Sequence, residues 1–247
     1  GEPLVRSDII KLIEKLNTKK EKTNLKEITL TTNGTLLKKY AKLLKLNGIN
    51  RINVSLDTIN PEKYNKITRF GNIEKVFDGI NEALDNNIKI KINTVVIKDF
   101  NENEIEELIN WTSNKKIDLT FIEVMPMEET DISREYQFIS LSDTFSKLDK
   151  IYNSDLVSNK IGFISPLTNN FCASCNRVRI SSTGKLFMCL GQNDFVDFRE
   201  IMRKDYSDDY IKEKIKFALN IKPKQHDFMI GEKINKYMKR HMNVTGG

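Results

Sequence analysis

Three things are scarce in this 247-residue chain: it has only three cysteines, only two histidines, and no apolar run near the roughly 18 residues of a membrane-spanning helix. Three cysteines cannot all be paired as disulfides. With no visible signal peptide, the expectation is a cytoplasmic protein with reduced thiols and no membrane partner. The chain starts at Gly1 and not at Met, so a preceding segment is expected. The two histidines, His226 and His241, lie far along the chain from the first two cysteines, which leaves a zinc tetrahedron short of an obvious fourth ligand. A concentrated basic face is also missing. The net charge of +6 comes from 40 Lys+Arg against 34 Asp+Glu, but the lysines are scattered through every segment among many Ile and Asn. Nucleic acid is therefore not an expected partner, whereas a small anionic ligand is compatible with the excess. No internal repeat or low-complexity segment is present.

What is there begins with the spacing Cys172-x2-Cys175-x13-Cys189. The stretch between the last two reads as two short strands around a Ser-Thr-Gly-Lys turn, a hairpin that brings Cys189 back beside Cys172 and Cys175. Such a trio is a metal or cluster site with one ligand missing. Structural zinc would need a fourth protein ligand. An iron–sulfur cluster is normally held by four thiolates, so three would leave one iron open to another ligand. On spacing alone, iron–sulfur, zinc and no metal all remain open.

Up to about residue 125 strands and helices alternate. Ser7 or Asp8 caps a helix through Leu16, Leu25–Thr32 is a strand, and Thr35–Leu46 is a helix ended by Asn47-Gly48. Asn50–Asp57 is a strand, followed by helices from Pro61–Ile67 and Ile73–Asn86. Ile88–Ile97 is a strand, Glu102–Asn114 a helix and Asp118–Val124 a strand. This alternation means β/α units on a parallel sheet. Beyond Met125-Pro126 the pattern changes to a polar stretch, a helix near Leu141–Lys150, the cysteine hairpin, helices near Phe195–Met202 and Asp208–Leu219, and a charged tail. A boundary near residue 130 divides a domain of residues 1–130 from one of residues 131–247. Buried parallel strands usually read as unbroken apolar runs. Here Arg51-Ile52-Asn53-Val54-Ser55-Leu56-Asp57, Ile88-Lys89-Ile90-Lys91-Ile92-Asn93 and Glu27-Ile28-Thr29-Leu30-Thr31 alternate. With helices covering the apolar face, the polar face lines a curved, open cavity or else faces water.

The chain resembles the radical S-adenosylmethionine (SAM) superfamily, and within it the GTP 3′,8-cyclases of molybdenum cofactor biosynthesis, over essentially its whole length. The resemblance rests on an ordered set: Gly1-Glu2-Pro3-Leu4, Thr31-Thr32-Asn33-Gly34, Asn53-Val54-Ser55-Leu56-Asp57, Phe121-Ile122-Glu123-Val124-Met125-Pro126, Phe171-Cys172-Ala173-Ser174-Cys175-Asn176-Arg177-Val178-Arg179, Cys189 and the closing Gly246-Gly247. It implies an α/β fold, an incomplete (β/α)6 barrel with a polar lumen, followed by an auxiliary-cluster domain. It implies cyclisation of GTP to (8S)-3′,8-cyclo-7,8-dihydroguanosine 5′-triphosphate, the first step of molybdopterin synthesis. The product would be handed to cyclic pyranopterin monophosphate synthase, and a homodimer is compatible. By position, Gly1, Ser55 and Met125 fall where the family contacts S-adenosylmethionine, and Thr31 and Lys91 where it contacts the triphosphate. Cys172, Cys175 and Cys189 match the auxiliary [4Fe–4S] cluster whose open iron binds guanine. Arg177, Val178 and Arg179 lie beside the nucleotide, and Gly246 and Gly247 match a tail reaching into the active site. No catalytic acid or base is assigned.

The chain departs from the family in two ways that matter. It begins inside the Gly-Gly-Glu-Pro motif, so the resemblance places the Cys-x3-Cys-x2-Cys of the SAM-cleaving cluster in a missing N-terminal segment; the fragment alone is expected to generate no radical. Thr120 stands where the family usually has a nucleotide-binding arginine, which leaves room for another substrate. Met242-Asn243-Val244-Thr245 before the final glycines is a minor change. A peptide maturase with an auxiliary cluster and a non-catalytic, zinc-stabilised binding module are the alternatives.

Overall fold

In the computed structural model the described residues are 1–125, 137–142, 144, 160–169, 172–204 and 206–226. They fall into two units, one of residues 2–124 and 139–165, the other of residues 166–247 with Gly1 and residues 125–138.

The first unit is a five-stranded parallel sheet in the order β1 (Thr29–Thr32), β2 (Arg51–Ser55), β3 (Lys89–Val96), β4 (Asp118–Glu123) and β5 (Ile161–Ile164). Sequential parallel neighbours require crossovers. Helix α2 (Leu37–Leu46) links β1 to β2, α3 (Pro61–Ile67) and α4 (Ile73–Asp85) link β2 to β3, and α5 (Ile105–Asn114) links β3 to β4, while α1 (Ile9–Asn17) precedes the sheet. The helix starts follow from short polar caps. The Asn60 side chain accepts from the Glu62 and Lys63 amides ahead of Pro61, and Asn72 accepts from the Glu74 amide. Asp8 precedes α1 as expected but does not cap it; its carboxylate pairs with Arg6.

The alternation seen in the strands sorts as expected. Ile52, Val54, Ile90, Ile92, Leu119 and Phe121 are buried, packed with Leu37, Ala41 and Leu44 of α2 and Val76, Ile80 and Ala83 of α4. Each such side chain contributes about 1.5–3 kcal/mol by leaving water, so this single layer dominates the unit's stability. Asn53, Lys91 and Asn93 occupy the other face and stay half-buried. Strand β1 is shorter than the expected Leu25–Thr32, because the segment before it turns on Thr23, whose hydroxyl accepts from the Leu25 amide. Strand β5 was not legible in the sequence. Of the expected helix Leu141–Lys150, only Leu141, Ser142 and Thr144 are described, all helical; the rest lies outside the described residues.

The second unit contains an antiparallel sheet of β6 (Arg179–Ile180), β7 (Lys185–Phe187) and β8 (Phe195–Asp197), then α6 (Phe198–Arg203) and α7 (Asp208–Asn220). The expected helix Phe195–Met202 is corrected: its first three residues are strand β8. Phe195 packs on Phe187 across the pair, with ring centroids 5.5 Å apart, and Asp197 caps α6 by accepting from the Glu200 amide. Leu186, Met188 and Ala218 form a small core with Val196 and Phe198.

Candidate functional site

Register assembles the polar face of the parallel sheet into rows. Thr31, Asn53, Lys91 and Asp118 are consecutive partners across β1 to β4, and Ser55, Asn93, Thr120 and Gly162 form the next row across β2 to β5. Thr31, Lys91 and Ser55, distant in sequence, thus share one small area. Arg51 grips Glu27 through two bonds of 3.2 and 2.9 Å and donates to Asn53 Oδ1 at 3.1 Å. With its oxygen so occupied, Asn53 turns its Nδ2 to Thr31 Oγ1 at 3.4 Å. Because Thr31 Oγ1 accepts there, its own O–H is directed elsewhere as a donor, the role a phosphate oxygen requires.

In the second row, two buried side-chain oxygens, Asn93 Oδ1 and Thr120 Oγ1, have no hydrogen-bond partner among the described residues. They are register partners, and Thr120 is only 2% exposed. A buried oxygen without a partner costs about 1–3 kcal/mol, so two side by side suit a face that receives a polar ligand. Gly162 keeps the neighbouring space narrow: a Cβ there would meet Thr120 Oγ1 at 3.2 Å. Gly1 is exposed, and a Cβ added to it would meet nothing within 4 Å. Met125 is half-buried just after β4, while Gly246, Gly247 and the residues before them lie outside the described residues.

Two further polar clusters brace this edge of the sheet, and sequence reading gave neither of them a role. The Glu2 carboxylate accepts from the Leu4 amide at 3.0 Å, from Thr32 Oγ1 at 2.7 Å and from the Asn33 amide at 2.7 Å. The Gly-Glu-Pro and Thr-Thr-Asn-Gly motifs are therefore one hydrogen-bonded corner. At the end of β2, Asp57 Oδ1 accepts from the Val95 amide at 2.8 Å, and Asn101 donates to the Asp57 and Val95 carbonyls at 2.6 and 2.8 Å.

Burial pushes the Asp57 carboxyl up to about 6, opposed by the Val95 N–H, which favours the charged form. The residue keeps some accessible surface, but its carboxyl sits deep among protein atoms. An acid whose folded pKa is raised binds more protons folded than unfolded, so it costs stability as pH rises from about 4 to about 6. Comparing Asp57→Asn with the parent by urea titration, the stability difference in favour of the variant is expected to grow from pH 4 to pH 8. It should level off above about pH 6 at no more than about 3 kcal/mol. A difference that stays constant with pH would show that the carboxyl ionises normally.

In the second unit, the expected turn forms between β6 and β7. The Ser181 amide donates to Lys185 O at 2.9 Å and Ser181 Oγ accepts from the Lys185 amide at 3.0 Å. Gly184 takes φ +82°, and a Cβ there would meet Arg199 Cβ at 2.9 Å, so glycine is required twice over. Arg179 pairs with Phe187 and Ile180 with Leu186; carrying that register two residues further sets Cys189 opposite Arg177, close behind Cys175. Cys172 and Cys175 lie on one 3-10 turn closed by the Cys175 amide bonding Cys172 O at 3.1 Å. All three cysteines are half-buried. Arg177 and Val178 are exposed and Arg179 half-buried. Burial lowers the Arg179 pKa, as does the neighbouring Arg177 charge, while Cys175 and Cys189 raise it. Arg179 is thus within electrostatic reach of Arg177, Cys175 and Cys189. Lys222, just past α7, donates to Arg177 O at 2.8 Å and Met188 O at 2.7 Å, with Cys175 Sγ at 3.8 Å.

Zinc and an iron–sulfur cluster make different demands on this donor set. Zinc–sulfur bonds of about 2.3 Å would draw thiolates close around one point. Among the described residues, no three His, Cys, Asp or Glu side chains are arranged to hold a single ion. His226 Nε2 donates to Pro166 O at 2.8 Å; His241 lies outside the described residues. A four-iron cube carries its thiolates at separate corners, further apart than zinc does. Three cysteine thiols near Arg179 and Lys222 are the chemistry such an anionic cluster needs.

Comparison with known proteins shows the family to which the chain belongs. The Radical SAM superfamily model matches residues 1–112, and the Molybdenum Cofactor Synthesis C model matches residues 150–228. SuiB of Streptococcus suis, solved with bound S-adenosylmethionine, aligns at TM-score 0.62 and 18% identity over 84% of this chain and 53% of its own. The structure of anSMEcpe with bound AdoMet aligns at TM-score 0.51 and 22% identity over 66% of this chain and 45% of its own. The chain spans about half of each of these, and at such identity they establish the fold. Fold and profiles together define a radical SAM protein carrying a molybdenum-cofactor-synthesis domain. Proteins named GTP 3′,8-cyclase from Sinorhizobium medicae and Rhizobium meliloti are each 45% identical over all of this chain and 76% of their own length, and one from Brucella ovis is 44% identical over all of this chain and 77% of its own. The chain belongs to the GTP 3′,8-cyclase family. Among the described residues no helix is long and apolar enough to cross a membrane.

Proposed function

We propose that the chain is the nucleotide-binding and second-cluster portion of an enzyme that cyclises GTP to (8S)-3′,8-cyclo-7,8-dihydroguanosine 5′-triphosphate for molybdenum cofactor synthesis. When bound, S-adenosylmethionine and its cluster supply the radical, and a [4Fe–4S] cluster on Cys172, Cys175 and Cys189 supplies an iron free to take a substrate atom. The chain's own residues bind and orient. Lys91 places a point charge, and Thr31 an oriented hydroxyl, for the triphosphate. Ser55, with Gly1 and Met125, serves S-adenosylmethionine, and the unpartnered oxygens of Asn93 and Thr120 complete polar contacts in the same row. Arg177, Val178 and Arg179 serve the nucleotide beside the cluster, with Gly246 and Gly247 as the tail. GTP is the partner, and the product passes to cyclic pyranopterin monophosphate synthase.

The observation that supports this reading is the placing of Arg179 within electrostatic reach of Cys175 and Cys189, with Arg177 beside it. A plain zinc ribbon has no use for a paired positive charge there. Identity of 45% across the whole chain to GTP 3′,8-cyclases favours GTP over a peptide substrate.

The test is Mössbauer spectroscopy of the chain after anaerobic reconstitution with iron and sulfide, with and without GTP. A [4Fe–4S] spectrum in which one iron site shifts on adding GTP is expected. A cluster indifferent to GTP would transfer the reading to another radical enzyme, with Thr120 the first position to examine. Tight zinc without sulfide would overturn it.

A further inference from the structure

We infer that Lys222 is a positioning residue for the three-cysteine cluster, tying together the two chain segments that carry the cysteines and donating to the sulfur of Cys175. This rests on the cluster reading above and deepens it. An ammonium has three N–H donors and no acceptor. Lys222 directs them to Arg177 O at 2.8 Å, Met188 O at 2.7 Å and Cys175 Sγ at 3.8 Å. Arg177 follows Cys175 by two residues, and Met188 immediately precedes Cys189. One cation therefore spans the gap between the Cys172–Cys175 turn and the strand leading to Cys189, from 34 to 47 residues away in sequence. The hairpin needs this tie because β6 has only two residues and is paired only at Arg179 and Ile180. The strand pairing stops two residues short of the position where Cys189 lies opposite Arg177.

Charge points the same way. These three partners of Lys222 are two carbonyls and a thiol, and no ion pair to a carboxylate is seen for it among the described residues. A half-buried cation held by neutral groups is poorly compensated. An oxidised four-iron, four-sulfide cluster on three thiolates carries a net charge of about −1, and one unit more when reduced, counting formal iron, sulfide and thiolate charges. Bound between the two segments, it supplies the missing counter-charge. An N–H donor on a ligating sulfur and a nearby cation both favour the reduced, more negative form, so Lys222 raises the cluster's potential.

The experiment compares the parent chain with Lys222→Met, Lys222→Arg and Lys224→Met. Lys224 is exposed, so its loss controls for net charge. Each protein is reconstituted anaerobically with iron and sulfide. Reduction potential is read by spectroelectrochemistry and iron release by transfer to a chelator, and the apo-proteins are checked by circular dichroism and thermal unfolding. Lys222→Met is expected to have a lower potential than the parent and to lose iron about 10-fold faster or more, the usual consequence of removing an outer-shell partner. Lys222→Arg, which keeps the charge, is expected to recover most of the potential, and Lys224→Met to match the parent. A merely structural role would change iron release without moving the potential. A Lys222→Met cluster with the parent's potential would overturn the inference alone. A parent chain that assembles no cluster would overturn the cluster reading itself.

Discussion

Replacing Gly79 by alanine is expected to destabilise the protein by about 2 kcal/mol, although alanine is the better helix former by about 1 kcal/mol. Gly79 lies in α4 where that helix crosses α2. A Cβ there would sit 2.6 Å from the backbone oxygen of Gly34, 2.9 Å from Leu37 Cβ and 3.2 Å from the Lys38 amide. Two of those neighbours are backbone and cannot rotate away. Relief requires the helices to separate or the Gly34 turn to shift, and overpacking of this kind costs about 1–3 kcal/mol or more. Gly34 is itself fixed at φ +79°, and its amide is held by Thr32 Oγ1, which also donates to Glu2. A displaced turn therefore disturbs the corner beside Thr31 as well as the core. Urea unfolding of Gly79→Ala measures the loss; an unchanged or higher midpoint would mean the helices do not approach this closely.

Lys91→Met is expected to weaken GTP binding by about 10- to 100-fold while leaving guanosine binding almost unchanged. A charge-assisted bond to phosphate is worth about 1.5–3 kcal/mol in a partly desolvated site. Methionine keeps the length and apolar stem of the side chain, so strand β3, whose core-facing residues are Ile90, Ile92, Thr94 and Val96, should fold as before. Calorimetric titration with GTP, GMP and guanosine separates charge reading from shape reading. An equal loss for guanosine would show that Lys91 does not read phosphate. The effect should shrink as salt rises, since screening acts on the same attraction.

Much of this was legible before any coordinates. The succession of strands and helices identified a parallel sheet, and strict alternation in Arg51–Ser55 and Lys89–Asn93 identified its one polar face, because side chains in a strand change face at every residue. Pro61 and Asn47-Gly48 marked helix ends through local dihedral needs. Other elements were hidden. Ile161–Ile164 is four residues with no alternating signal, and becomes a strand only because β4 offers an open edge. Phe195–Asp197 reads equally well as the start of the helix that follows; its pairing with β7 and the packing of Phe195 on Phe187 decide otherwise.

The sequence by itself determined the chemistry: three cysteines, too many by one for disulfides to pair them all, two arginines beside them, and a lysine and a threonine on the polar side of their strands. These are properties of residue type and of period, both local. Only the tertiary structure decided which groups meet. It set Thr31, Asn53 and Lys91 in one row, left the side-chain oxygens of Asn93 and Thr120 without a hydrogen-bond partner among the described residues, closed Glu2 onto the Thr32–Asn33 turn, and brought Lys222 to the carbonyls beside Cys175 and Cys189. Each of those contacts depends on strand register or on a helix end meeting a distant turn. Register is fixed by the sum of core packing across a whole sheet, and no short window of sequence contains that sum.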